Sequence, residues 1–330
     1  SKYMIKIKIP KIIAEVGMSH NGNITLAHSY IDAAAKAGAD AIKFQTHYAD
    51  EESSVFDEFR KKNRYINYKT RFDYWKYTEF DKSQWRELKN HADKKNIIFF
   101  SSPFSFKAVE ILSSIGVNIW KIASGEVTNF PLIEKISKLK QDIILSTGMS
   151  NFKEIDQAVK IIKGYHNRFA IAQCTSLYPC PPEKIGLNLI SDLKKKYKCS
   201  VGFSDHSGNY LTSLLAKVMG ADFIEIHVVF DRDFIGFDTE SSITFRELSD
   251  LVVNLKFSEK IINNKINKNI IPKEIKKNKY LFEKSIFAKN RIMKGKKILL
   301  EDIVFKKPLR GIKAKDYKMI FANHLNNLFE

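Results

Sequence analysis

Short apolar, β-branched runs recur along this chain, and each gives way to a stretch in which apolar residues return every third or fourth position. The runs fall at 11–17, 40–47, 97–102, 119–124, 142–147, 168–175, 199–205 and 222–229. The stretches between them, at 25–37, 82–95, 106–115, 132–139, 153–163, 187–197, 210–219 and 245–262, carry the helical spacing. Gly38, Gly116, Gly164 and Gly220 stand where several of these helices would need a left-handed cap. Eight strand–helix alternations, each strand apolar enough for burial on both faces, predict parallel strands closed into an α/β (β/α)8 TIM barrel over residues 1–262. A doubly wound open sheet is the other architecture this alternation allows, but no GxGxxG follows any strand.

Two stretches break the alternation. Residues 48–81 form a long connection after the second strand, rich in Arg, Lys, Tyr and Trp, most densely at 64–76. It reads either as a lid over a polar substrate or as a basic, aromatic surface for stacking nucleic-acid bases, and its place at a strand end favours the lid. Residues 263–280 read as a Lys/Asn/Ile-rich linker, and 281–330 as a small β-rich module with a turn at 293–296.

Charge changes the picture only in part. The chain holds 330 residues and carries a net charge of +18. From Leu255 to Glu330 there are 20 Lys/Arg against 7 Asp/Glu, a net +13, which leaves +5 for the rest. A basic excess of this kind suits nucleic acid, a membrane surface or an anionic substrate, and its crowding into the C-terminal quarter is unlike a nucleic-acid footprint. No run of eighteen apolar residues exists, so no membrane-spanning segment is expected. Cys174, Cys180 and Cys199 are odd in number and lack a CxxC pair, so neither a disulfide framework nor a zinc cage is expected, and a reducing cytoplasmic setting follows. The residues ahead of Met4 read as an appended remnant.

In such a barrel the chemistry sits at the C-terminal ends of the strands, and polar residues gather there. They are Glu15; Lys43 with Gln45 and His47; Ser101 and Ser102; Lys121 with Ser124 and Glu126; Ser146 and Thr147; Thr175 and Ser176; Ser204, Asp205 and His206; and Glu225 with His227. Two lysines on different strands, with several hydroxyls, make a cradle for a phosphate and a carboxylate; alternatively, they face the helices or pair with Glu15 and Glu126. His206 and His227 end neighbouring strands and could converge as imidazole ligands to a divalent metal with open positions.

These residues lie in motifs that resemble the sialic acid (nonulosonic acid) synthases: Ile13-Ala-Glu-Val-Gly17 with Ser19-His-Asn-Gly22, Lys43-Phe-Gln-Thr46, Ser101-Ser-Pro-Phe104, Trp120-Lys-Ile-Ala-Ser-Gly-Glu126, Leu145-Ser-Thr-Gly-Met149, Gln173-Cys-Thr-Ser-Leu-Tyr-Pro179, Gly202-Phe-Ser-Asp-His206 and Glu225-Ile-His227. The resemblance spans residues 10–315 and likens the module at 281–330 to that family's antifreeze-like (SAF) domain. It implies condensation of phosphoenolpyruvate with an N-acylated hexosamine and water, giving a nine-carbon 2-keto acid and phosphate. It assigns Mn²⁺ or Mg²⁺ to His206 and His227, and phosphoenolpyruvate to Lys43, Ser102, Lys121, Ser124, Ser146, Ser176 and Ser204. The sugar falls to Glu15, Tyr178 and Asp238, and proton transfer with the attacking water to Glu126. It further implies a domain-swapped homodimer in which an arginine of the small domain covers the partner's sugar. The chain departs from the pattern in three places: Lys307-Pro-Leu-Arg-Gly-Ile312 leaves Lys307 or Arg310 for that arginine, Gln173 stands where His is common, and Phe237 replaces a proline. A 3-deoxy-ulosonate synthase acting on a phosphorylated sugar, and a non-catalytic basic binding protein, are the competing readings.

Overall fold

The structure, a computed structural model, describes residues 7–60 and 67–321; residues 1–6, residues 61–66 of the aromatic connection and residues 322–330 lie outside the described residues. Eight parallel strands pair in chain order: β1 (Ile12–Gly17), β2 (Ala41–Thr46), β3 (Ile98–Pro103), β4 (Ile119–Ile122), β5 (Asp142–Ser146), β6 (Phe169–Gln173), β7 (Ser200–Asp205) and β8 (Ile224–Val229). β1 also pairs with β8, which closes the barrel. The expected (β/α)8 architecture is therefore the observed one. A two-residue strand, β9 (Ile243–Thr244), extends from β8.

Local chemistry sets the helix ends. Asn23 caps Ile24–Ala37 by accepting from the Leu26 N–H, and Gly38 ends that helix at φ 87°. Asp81 and Gln84 form a reciprocal capping box that starts Lys82–Lys94.

Because successive strand residues alternate in facing, Ile13, Ala41, Phe100, Ile119 and Ile144 lie on the interior side two positions before the polar residues Glu15, Lys43, Ser102, Lys121 and Ser146. They form an apolar plug under a polar layer. Gly202 completes the plug, since a Cβ there would stand 2.4 Å from the ring of Phe223, which is buried in the same core. Filling the base with apolar side chains keeps water out from below. The only polar face left is the one that the strand ends present.

The long second connection is not structureless. It carries the helices Ala49–Glu52 and Arg71–Thr78, the latter begun by a Thr70–Asp73 capping box. Met18, Ala49, Tyr74 and Trp75 form a satellite apolar cluster there, joined by Phe59, Tyr68, Phe72 and Phe237.

The chain divides after Asn263 into two units. The second contains a helix, Lys273–Phe282, which begins in the stretch read as a linker and runs into the module, and an antiparallel pair, β10 (Ser285–Ala288) with β11 (Ile303–Lys306). Ile286, Ile303 and Ile320 are its buried core. Lys307 and Arg310 are exposed on this unit; Lys307 Nζ lies 5.1 Å from the Phe282 ring centre. No helix among the described residues is long and apolar enough to cross a membrane.

Candidate active site

The lysines of β2 and β4 both point into the barrel, and both are paired. Lys43 Nζ lies 2.8 Å from Glu15 Oε2, 3.6 Å from Glu225 Oε1 and 3.1 Å from Ser102 Oγ, to which it donates. Lys121 Nζ meets Glu225 Oε2 at 2.6 Å, and Ser204 Oγ donates to Glu225 Oε1 at 3.1 Å. A single carboxylate on β8 thus joins lysines of β2 and β4 across the interior. Cradle and ion pair are one arrangement, with Glu225 and not Glu126 as the partner of Lys121.

All four charges are buried, and burial alone would depress both lysines. At Lys43 the flanking Glu15 and Glu225 outweigh burial and its pKa is raised. At Lys121, with one carboxylate and the like charge of Lys43, burial wins and its pKa is lowered. Lys121 is therefore the lysine nearer to yielding its proton. Glu15 is raised by burial against the pull of Lys43.

Above this layer opens a cavity of about 460 Å³, lined among others by Ser124, Glu126, Ser176, Tyr178, His227 and Asp238. Glu126, whose Oε2 accepts from Asn129 Nδ2 at 2.7 Å, is raised by burial. The His206 and His227 rings are 5.2 Å apart, edge to face, and Tyr178 stacks on His206 at 4.2 Å. His206 Nδ1 faces the Thr175 carbonyl at 2.9 Å, so Nδ1–H donates and Nε2 is the nitrogen left for a metal. Burial pushes His227 down to about 3, which keeps it neutral. At His206 burial opposes charging, but the Cys174 sulfur beside it and the Thr175 carbonyl raise it to about 9, so a metal ion would compete there with a proton. Among the described residues no group of three or more His, Cys, Asp or Glu forms a metal cage. Any ion would rest on these two imidazoles, with open positions for water or substrate.

The strand-end hydroxyls converge around Gly148. Its N–H donates to Ser124 Oγ at 3.1 Å, and a Cβ on it would stand 2.3 Å from Ser176 Oγ, 2.8 Å from Ser124 Oγ and 2.9 Å from Cys174 Sγ. Gly148→Ala is expected to displace both hydroxyls, costing about 1–3 kcal/mol of stability as an overpacked site does. Thermal unfolding, and any anion affinity that Ser124 and Ser176 support, would register it; an unchanged variant would show that the hydroxyls do not need this spacing.

Several wall residues carried no assigned role in the sequence. Arg60 reaches from the second connection to Asp238, with Nη2 to Oδ1 at 3.3 Å, and its guanidinium covers the Tyr178 ring at 4.0 Å. Phe237 stacks on Phe59 at 5.1 Å, so the residue that departs from proline anchors this connection. His47 and Glu52 also line the wall. Lys307 and Arg310 belong to the second unit and are not among the residues gathered here.

The NeuB family profile matches residues 30–267. The chain is 36% identical over 315 residues to the N,N'-diacetyllegionaminic acid synthase of Campylobacter jejuni, covering 93% of each chain. It is 31% identical to human N-acetylneuraminate-9-phosphate synthase, over 89% of this chain and 82% of that one. Among solved structures, the N-acetylneuraminic acid synthetase of Leptospira borgpetersenii superposes with a TM-score of 0.72 at 35% identity, covering 84% of this chain and 94% of that one. With the profile spanning most of the barrel and the relatives nearly the whole chain, the protein belongs to the NeuB family.

Proposed function

We propose that the protein is a nonulosonic acid synthase joining phosphoenolpyruvate to an N-acylated hexosamine, N-acetylmannosamine or a 2,4-diacetamido hexose. The observation that carries this reading is the buried Lys43–Glu225–Lys121 bridge, flanked by Ser102 and Ser204, together with the strand-end cavity that Ser124, Ser176 and His227 line. A trianionic donor needs cations already desolvated and fixed, and a barrel interior supplies them without reorganisation. In this reading Lys43, Lys121, Ser102, Ser124, Ser146, Ser176 and Ser204 hold phosphoenolpyruvate. Glu15, Tyr178 and Asp238 hold the open-chain sugar.

Carbon 3 of the enol forms the new bond to the aldehyde carbon, and water adds at carbon 2. The carbon 2–oxygen bond to phosphorus then breaks, leaving a 2-keto acid and inorganic phosphate. Mn²⁺ or Mg²⁺ held by His206 and His227 would polarise the aldehyde oxygen when bound. The cations on the described wall, Arg60 and Arg71, already face Asp238 and Asp57, which favours an uncharged acceptor over a phosphorylated one. The same reading carries the SAF-like second unit and the domain-swapped homodimer, with Lys307 or Arg310 supplied to the partner's acceptor site.

Incubation with phosphoenolpyruvate, Mn²⁺ and a panel of plain and phosphorylated hexosamines, read as phosphate release, tests it. Release with an unphosphorylated N-acyl hexosamine is expected; release only with phosphorylated sugars, or none, overturns it.

Glu126 takes the proton of the attacking water in this reading, so it must be ionised to work. Because burial raises it, activity falls on acidification at a pH above the ordinary carboxylate range. Glu126→Gln is expected to cut kcat about 10²–10⁴-fold and to abolish that acid limb. A slow variant that keeps the same acid limb assigns the proton transfer elsewhere.

A further inference from the structure

Lys43, Gln45 and His47 stand two residues apart on and just after β2, so strand alternation turns all three toward the interior. The third is held more tightly than a rim histidine needs to be. Its ring lies between Trp75 and Phe104, with ring centres at 3.8 and 4.3 Å and interplanar angles of 10° and 19°. Its Nδ1 meets Glu52 Oε1 at 2.5 Å, and Glu52 Oε2 accepts from the Tyr48 N–H at 3.1 Å. On the far side, His47 Nε2 meets Gln45 Oε1 at 3.2 Å, and Gln45 Nε2 donates to Glu15 Oε1 at 3.0 Å.

The donors in this chain follow from its ends. Glu15 is in ion contact with Lys43 and accepts from Gln45, so the Gln45 amide must present NH₂ to Glu15 and oxygen to His47. That oxygen only accepts, so His47 Nε2 carries a hydrogen. On the other side of the ring, Glu52 Oε1 faces Nδ1 and holds the imidazole in its plane. A flipped amide would place its oxygen against the Glu15 carboxylate and its NH₂ against the Nε2–H, losing two hydrogen bonds at once.

We infer that His47 is a positioning residue: clamped by Trp75 and Phe104 and braced by Glu52, it locks the Gln45 amide and through it the Glu15 carboxylate that faces the acceptor sugar. This rests on the proposed synthase reading for the role of Glu15, but the hydrogen-bond chain itself does not. Trp75 comes from the helix Arg71–Thr78 of the second connection, so the placement of that helix also sets the clamp. Glu15 is then aimed only when the connection is in place.

His47→Phe keeps a ring between Trp75 and Phe104 and removes both ring nitrogens. It is expected to lower kcat and raise the acceptor KM, together about 10- to 100-fold in kcat/KM, as misplacement of a positioned group does. The phosphoenolpyruvate KM should stay within about twofold, because Lys43 keeps Glu15, Glu225 and Ser102. In a Gln45→Ala background the same change should add less than about twofold, since His47 acts only through that amide. Full additivity there, or an unimpaired His47→Phe, overturns the inference.

A measurement independent of turnover separates this from failure of the synthase reading. In ¹⁵N-histidine-labelled protein, the His47 signals, assigned by their loss in His47→Phe, should show a hydrogen on Nε2. A bare Nε2 overturns the chain whatever the enzyme turns over.

Discussion

Lys121→Met is expected to abolish phosphate release and to lower the thermal midpoint by several degrees or more. The variant removes the cation 2.6 Å from Glu225 and leaves that buried carboxylate with Lys43 at 3.6 Å, a lysine already committed to Glu15 at 2.8 Å. Breaking a buried pair from one side typically costs about 3–5 kcal/mol, because the remaining charge is stranded. In a domain of this size each kcal/mol moves the midpoint by about 2–4 °C. On activity, one of two fixed cations under the donor is lost, and a drop of about 10³-fold or more follows if the lysines serve the phosphate and carboxylate.

The pH dependence separates the ionic cause from lost packing. Burial alone would raise Glu225, but Lys121 and Lys43 pull it down to about 2. Its ionised form therefore contributes stability above the ordinary carboxylate value, and that contribution is lost as pH falls toward about 2. In Lys121→Met burial is less opposed, Glu225 takes up its proton at higher pH, and the deficit against the parent protein shrinks on acidification. Thermal melts of both proteins from neutral to acid pH check this. A deficit constant with pH would assign the loss to packing.

The strands were legible because a barrel strand is buried on both faces, and a β-branched run such as Ile143-Ile-Leu145 has few other uses. Ends were less so. The run at 119–124 stops as a strand at Ile122, because Ser124–Glu126 winds into a 3₁₀ turn closed by the Glu126 N–H on the Ala123 carbonyl. The helix Lys273–Phe282 was read as linker because Lys and Asn fill half of it, and none of its residues is buried. At the site, alternation alone turned Lys43 and Lys121 inward. Their pairing through Glu225 was invisible, since β4 and β8 are far apart in sequence and not neighbours in the sheet. The Arg60–Asp238 contact spans 178 positions and depends on the path of a long connection, which no local periodicity encodes. His47 was within reach: two and four positions after Gln45 and Lys43 respectively, it shares their facing, and Trp75 and Phe104 supplied the aromatic partners without declaring them in sequence.

Removal of divalent metal is expected to silence the protein as completely as loss of a lysine, but reversibly. Two imidazoles are a sparse ligand set, and an ion held by them exchanges readily. Dialysis against EDTA should therefore reduce phosphate release to about 1% or less, and added Mn²⁺ or Mg²⁺ should restore it, as expected where a Lewis acid stabilises charge on the aldehyde oxygen. His227→Ala should show the same loss without restoration at the metal concentration that rescues the parent. Its fold should survive, because among the described residues His227 makes ring contacts with Tyr178 and His206 and no ion pair. His206→Ala is the more damaging change, since His206 also binds the Thr175 carbonyl and carries the stacked Tyr178 ring. Isothermal titration of Mn²⁺ into the metal-free protein gives the second readout: binding in the parent, released protons as the ion displaces the one on His206, and no binding in either variant. Full activity after exhaustive chelation would remove the metal from this site and return both histidines to hydrogen bonding and packing.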